Sequence, residues 1–206
     1  MLTIWGRKNS GNVRKALWAA EEVAVPYERR DAGGAFGVVN EPHYRAMNPN
    51  GLVPVIEDEG LVLWESNAIV RYLAAKYGDG VLYANDPAQR AIGDKWMDWS
   101  TSVFAPAFRD LFWGTVRIPP EQRDAALIAA ALKRCGELLQ MPEQALANHP
   151  YLSGEHFGMG DIPLGAAIYA WFEMPIERPD QPNLRAWYER LKQRPAYQAA
   201  VMTALT

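Results

Sequence analysis

Hydrophobic and polar positions change period several times in the first third of the chain. Leu2 to Trp5 is an apolar run too short for a helix, and the polar stretch Gly6-Arg7-Lys8-Asn9 ends it. It reads as a strand and a turn. From Ser10 the spacing becomes helical: Val13, Leu17 and Ala20 form a stripe that Ala16 and Trp18 broaden, until Val25-Pro26 stops it. A second strand over Tyr27 to Arg30 completes a βαβ unit, whose crossover is right-handed in nearly all proteins. A loop follows, with a short helix near Glu41 to Ala46. Val53 to Ile56 is then an apolar run entered through a proline, Asp58-Glu59-Gly60 is turn chemistry, and Leu61 to Trp64 is a second short run. Together they predict a β-hairpin. Glu65-Ser66-Asn67 offers polar side chains to the free N–H groups of a helix start, and Ile69, Tyr72, Leu73 and Tyr77 continue at helical spacing to Gly78.

The stretch GDGVLYAND from Gly78 to Asp86 is short and turn-rich and marks a domain boundary. Asp86-Pro87 combines a good cap with a proline at the first helical position. Beyond it the pattern is almost wholly helical. One helix is expected over 87–116, kinked or divided by Pro106, and another over 121–148, disturbed near Pro142, with Pro119-Pro120 between them. Phe157 to Ile162 has the form of a capping box with a staple of Phe157 on Ile162, but Gly158 stands where a hydroxyl residue is usual, leaving Asp161 to act alone. Final helices are expected over 183–193 and after Pro195. The element order predicts an α/β thioredoxin-like domain over 1–78, a linker over 79–86 and an all-α domain over 87–206.

Composition narrows the class. The chain has 206 residues, 49% hydrophobic and 22% charged, which is globular composition able to bury a core. A formal net charge of −3 gives no global reason to bind nucleic acid or an anionic membrane. No apolar window is long enough to span a bilayer, so a cytoplasmic protein with reduced thiols is expected. The single Cys135 excludes an internal disulfide, and His43, His149 and His156 are not at metal-binding spacings, so no metal site is expected. Cys135, on a helix, is expected to be inert.

Two features of the hairpin and its helix carry chemistry. Val53-Pro54 is an X–Pro bond at a strand start, where a cis form costs only about 0.5–1 kcal/mol and would present the Val53 backbone to an extended peptide. Glu65-Ser66 stands at a helix start, where free N–H groups and the helix dipole favour a carboxylate. Ser66 adds a hydroxyl, and Glu65 can receive an ammonium group. A carboxylate and an amine side by side, next to a strand edge, suit the γ-glutamyl end of a glutathione-like peptide. The plainer alternative is a trans proline and ordinary caps at Ser66 and at Ser10.

The runs NPNGLVPVI (48–56) and WESNAIVRYLAAKYG (64–78) resemble the glutathione-binding half of the soluble glutathione S-transferases. WGRKNSGNVRKALWAAEE (5–22) is similar to the first strand, catalytic loop and first helix of theta-like and nu-like bacterial members, and GMGDIPLGAAIYAW with PNLRAWYERLKQRPAY to the last helices of the second domain. The resemblance covers essentially the whole chain. It implies a thioredoxin-like domain, a helical domain and a homodimer, with glutathione as co-substrate, no tightly bound cofactor, and a small hydrophobic electrophile as second substrate.

By resemblance, Ser10 followed by Arg14 fits the theta-like catalytic serine, and Ser10 followed by Asn12 fits the nu-like pattern. Either Ser10 or Asn12 is then expected at the sulfur, where a donor favours the thiolate of a group whose free pKa is about 8.5. Glutathione is expected against Val53, Pro54, Glu65 and Ser66. The family's usual partners for the glycyl carboxylate are replaced by Leu52 and Val39, which leaves Asn40, the loop 7–9 or a second subunit to take that role. The hydrophobic-substrate pocket is expected at Phe36, Phe108, Arg109, Phe112 and Trp113, although most aromatics of that segment suit a core equally well. Disulfide or peroxide reduction, and a non-catalytic binding module, remain the alternatives to conjugation on this fold.

Overall fold

A computed structural model describes every residue except 79 and 81. The expected linker over 79–86 therefore lies partly outside the described residues. The chain packs as two units, Met1–Asn85 with Pro195–Thr203, and Asp86–Arg194 with Ala204–Thr206.

In the first unit β1 (Leu2–Trp5), α1 (Gly11–Glu22) and β2 (Tyr27–Arg30) form the expected βαβ, with β1 and β2 parallel. After a 3₁₀ turn at Gly34–Phe36 and α2 (Pro42–Met47) come β3 (Val55–Asp58), β4 (Leu61–Trp64) and α3 (Ser66–Tyr77). The sheet order is β2-β1-β3-β4, with β3 antiparallel to both neighbours. Glu59 and Gly60 close the β3–β4 hairpin at φ 51° and 88°, the positive pair that a two-residue turn requires and Gly supplies without steric cost. Asp58 beside the turn is almost fully buried and accepts from Tyr72 Oη at 2.8 Å, Tyr77 Oη at 2.7 Å and Lys76 Nζ at 2.9 Å, which ties the hairpin to α3.

Side chains alternate across the sheet. Ile4 and Ile56 are paired and fully buried, while Trp5 and Val55 turn to the opposite face. There Val55, Ala32 and Tyr44 form a small core with Val38, Val39, Met47 and Val53 packed against it. Tyr44 Oη and Asn48 Nδ2 both donate to the Leu52 carbonyl at 2.9 Å, fixing the chain just before Val53. The strand predicted from Val53 begins at Val55, because Val53-Pro54 is a cis bond outside the ladder.

Helix α1 is buried from Val13 to Ala20, packed against α3 and against α10 (Pro195–Ala200). Trp18 and Tyr197 meet edge to face with centroids 4.7 Å apart, both fully buried. The sequence pattern places α10 in the helical domain; its contacts place it in the first unit.

In the second unit, α4 (Pro87–Trp99) is capped by Asp86, whose carboxylate accepts from Ala88 N and Gln89 N. A π-helical turn at Ser100–Phe104 leads into α5 (Ala105–Phe112), and a second π turn at Trp113–Arg117 follows it. Pro106 lacks an N–H and would crowd the carbonyl of Ser102 in an α-helix. The wider π turn accommodates it, so the path stays helical instead of breaking. Helix α6 (Ala125–Leu138) starts four residues later than predicted, since Asp124 is the cap and Pro120–Gln122 is a 3₁₀ turn. It is followed by α7 (Gln140–Leu146), α8 (Asp161–Glu173) and α9 (Pro182–Lys192).

Asp161 acts on more than its own helix. Its carboxylate accepts from Gly158 N at 3.1 Å, as the reciprocal half of a capping box does, and also from Leu152 N and Trp187 Nε1. At the same corner α4 touches the start of α8 so closely that a Cβ on Gly160 would lie 2.6 Å from Gly93 Cα.

The Trp18–Tyr197 contact makes the C-terminal helix part of the first unit's core. Tyr197→Ala should cost about 3–5 kcal/mol, read as a lowered denaturant midpoint; an unchanged midpoint would show that α10 adds nothing to that core.

Candidate active site

The register of the sheet gathers the candidate residues. Trp5 at the end of β1 pairs with Val55 at the start of β3, Val55 pairs with Trp64 at the end of β4, and Arg30 at the end of β2 pairs with Trp5. The loop carrying Ser10, the Val53-Pro54 dipeptide, the Glu65-Ser66 pair and the loop after β2 therefore all leave the sheet at one end.

Ser10 precedes α1 in extended conformation, but its side chain makes no capping bond. Its hydroxyl has no hydrogen-bond partner among the described residues. The loop is held from below: Arg14 Nε donates to the Lys8 carbonyl at 3.3 Å, and Arg14 Nη2 donates to Thr203 Oγ1 at 2.6 Å beyond α10. Ser10 is half-buried and Asn12 exposed on the first turn of α1.

Val53 is half-buried, and its N–H and C=O have no partner among the described residues. Pro54 is buried behind it. Glu65 is exposed and sits at φ 72°, ψ 111°, a conformation that costs a non-glycine residue about 1–3 kcal/mol and clusters at functional sites. Its carbonyl accepts from Ile69 N at 2.9 Å, but no side chain caps α3, contrary to the expectation for Glu65-Ser66-Asn67.

Ser66 is buried and joins α1 to α3: its hydroxyl donates to Asn12 Oδ1 at 3.4 Å and accepts from Lys15 Nζ at 3.5 Å. Lys15 is a residue that the sequence pattern did not single out. Burial lowers its pKa to about 8, against the field of Glu65, which raises it. The signal for it was the run Ala16 to Ala20, apolar on every side, which marks a helix packed on more than one face.

The loop after β2 passes through Gly33 and Gly34, both at positive φ, with the Arg7 side chain laid across them and Val53 against Gly33. Asn40 is exposed, and its Oδ1 accepts from Arg45 Nη2 at 2.9 Å. Phe36 is 54% exposed in this unit.

The other pocket candidates lie in the second unit. Phe108 is largely buried in an aromatic row, its ring 5.3 Å from Phe104 and 6.2 Å from Phe112. Arg109 points to solvent beside Asp110, and Trp113 is 55% exposed with Arg117 over its ring. Cys135 is fully buried, and burial pushes its thiol up to about 12. Among the described residues no group of His, Cys, Asp and Glu could hold a metal, and no helix is long and apolar enough to cross a membrane.

A βαβ unit followed by an antiparallel hairpin and helix, with a cis-proline before β3, is a thioredoxin-like domain, and here an all-helical unit accompanies it. The family model for the glutathione S-transferase N-terminal domain matches residues 1–75, and that for the C-terminal domain matches residues 104–195. The glutathione S-transferase GstB of Escherichia coli K12 is 47% identical over 98% of this chain and 98% of its own. A theta class glutathione S-transferase from Xanthomonas axonopodis pv. citri, with glutathione bound, superposes with a TM-score of 0.97 at 66% identity, covering 100% of this chain and 99% of that one. Glutathione transferase F7 of Populus trichocarpa shares the fold at 22% identity, with a TM-score of 0.87 over 97% of each chain. The chain belongs to the glutathione S-transferase family.

Lys15 offers a test of the site's electrostatics. Its folded pKa lies below its unfolded one, so the cost of the buried ammonium is fully present below about pH 8 and vanishes as pH rises to about 10.5. Lys15→Met should be more stable than wild type near pH 7, by up to about 3 kcal/mol, with the gap closing toward pH 10.5. Denaturant titrations across that range check it, and a gap that does not change with pH would remove the buried cation.

Proposed function

We propose that this protein conjugates the glutathione thiolate to hydrophobic electrophiles, with the Ser10 hydroxyl donating to the sulfur. The observation that carries this reading is that Ser10 stands at the head of α1 with its hydroxyl unpartnered among the described residues, at the sheet end where the Val53 backbone is likewise unpaired among them. The theta class relative at 66% identity has glutathione bound.

In this mechanism the γ-glutamyl carboxylate meets the N-terminus of α3 and Ser66, its ammonium meets Glu65, and the cysteinyl N–H and C=O pair with Val53 as an added strand would. The strained backbone at Glu65 suits a residue fixed for ligand contact. Arg7, laid across Gly33 and Gly34, and Asn40, whose Nδ2 can donate while its Oδ1 accepts from Arg45, are the candidates for the glycyl carboxylate. The thiol proton leaves to solvent, Ser10 donates to the resulting anion without losing its own proton, and the sulfur displaces the leaving group to give a thioether.

The division into a glutathione-binding domain at 1–78, a linker at 79–86 and a pocket-forming domain at 87–206 belongs to the same proposal. So does the assignment of Phe36 in the first unit, and of Phe108, Arg109, Phe112 and Trp113 in the second, to the hydrophobic substrate; Phe36, Arg109 and Trp113 are exposed and Phe112 is half-buried. A detoxifying role in the cytoplasm as a homodimer completes it. The edge strand β4 supports the dimer, because Leu61, Val62 and Trp64 expose about two-fifths of their surface along it. Asn12 favours a second reading, glutathione-dependent disulfide reduction, because it is exposed at the same sheet end and tied to Ser66.

Ser10→Ala should leave glutathione affinity nearly unchanged and return the bound thiol's pKa toward about 8.5. Loss of one hydrogen bond to a charged group, about 1.5–3 kcal/mol, lowers kcat/KM with an aryl halide roughly 10- to 100-fold. Thiolate absorbance titrated with pH reads the first effect and steady-state kinetics the second. Unchanged kinetics in Ser10→Ala, with loss of disulfide reduction in Asn12→Ala, would select the second reading.

A further inference from the structure

Lys15 is a charged group that the protein itself leaves undersatisfied. An ammonium carries three donors, yet among the described residues Lys15 Nζ has one hydrogen-bond partner, Ser66 Oγ at 3.5 Å, the outer limit of such a bond. The side chain is buried, and no carboxylate forms an ion pair with it among the described residues. A buried cation in that condition is costly, and proteins keep such a group where a counter-charge is supplied. Ser66, the residue Lys15 touches, is the first residue of α3, whose start carries no side-chain cap.

The charged and titratable groups around Lys15 are few. Glu65 at the head of α3 acts on it through its field. Arg14 on its own helix is turned toward Lys8 and Thr203, α10 contributes Tyr197 against Trp18, and the buried faces of β1 present Leu2, Thr3 and Ile4.

We propose that Lys15 is a positioning residue for the carboxylate end of the ligand: its ammonium, donating to Ser66 Oγ, frees the Ser66 proton for the ligand's carboxylate and supplies the buried charge that this carboxylate neutralises. The ligand is then specified as a peptide whose terminal glutamyl group keeps its free α-carboxylate. On binding, the Ser66 hydroxyl exchanges Asn12 Oδ1 for the carboxylate, which leaves Asn12 free to face the sulfur end of the site. This inference rests on the glutathione reading of the site. It predicts that affinity falls as pH rises above about 8, where the free protein's Lys15 loses its proton.

The experiment is calorimetric titration of wild type and Lys15→Met with S-methylglutathione, whose thioether does not titrate, and with the analogue in which 4-aminobutyrate replaces the glutamyl residue and so removes the α-carboxylate. Lys15→Met should weaken S-methylglutathione roughly 10- to 100-fold and leave the analogue nearly unchanged, and the decline of affinity above about pH 8 should be shallower in the variant, which keeps only the part due to the ligand's own ammonium. Thermal melting of the variant guards against loss by unfolding, since removal of the buried charge should raise its stability. Equal weakening toward both ligands, or none toward either, would overturn the role of Lys15 while leaving the glutathione reading intact. Failure of the wild type to bind S-methylglutathione would overturn both.

Discussion

The site depends on one line of backbone pairing, from Arg30 through Trp5 and Val55 to Trp64. β3 runs against β1 and β4 runs against β3, so the end of one strand, the start of the next and the end of the third coincide. Ser10 lies 43 residues before Val53, and Val53 lies 13 before Ser66; all three come to one sheet end because of that register. A shift of one residue would turn Ile4 and Ile56 out of the α1–α3 layer, so the apolar pattern and the site are fixed by the same ladder.

Around that ladder, polar groups do the holding where apolar packing alone would leave freedom. Arg14 reaches the Lys8 carbonyl on one side and Thr203 on the other, and Tyr44 with Asn48 fixes the Leu52 carbonyl beside Val53. In the second unit the buried Asp161 gathers the N–H groups of Leu152 and Gly158 with the indole of Trp187. Buried networks of this kind are costly when incomplete and specific when complete.

The hairpin and α3 were legible because Asp58-Glu59-Gly60 and the spacing from Ile69 to Tyr77 are local signals. The chemistry of Val53-Pro54 and Glu65-Ser66 suggests one peptide site, and family resemblance adds Ser10 to it, although local spacing fits ordinary caps as well; the register shows why the four leave the sheet at one end. What stayed hidden was non-local. An amphipathic α10 shows that it has an apolar face but not which unit that face meets. From sequence Pro106 reads as a kink or break, because a π turn has no signature that separates it from an interrupted α-helix. Lys15 and Arg14 look like solvated residues beside a stripe until α3 and α10 close over them. The positive φ of Glu65 follows from the tight passage between β4 and α3, which no side-chain pattern announces.

The docking of α10 on α1 makes the first unit discontinuous, with its sheet written at the beginning of the chain and its closing helix at the end. During synthesis the N-terminal strands and helices leave the ribosome long before Tyr197 and Thr203 do. Until then Trp18 lacks its ring partner and Arg14 its hydroxyl, so the loop that carries Ser10 is unfinished. The candidate site is thus completed only after the whole of the second unit's helical stretch, 86–194, has been made.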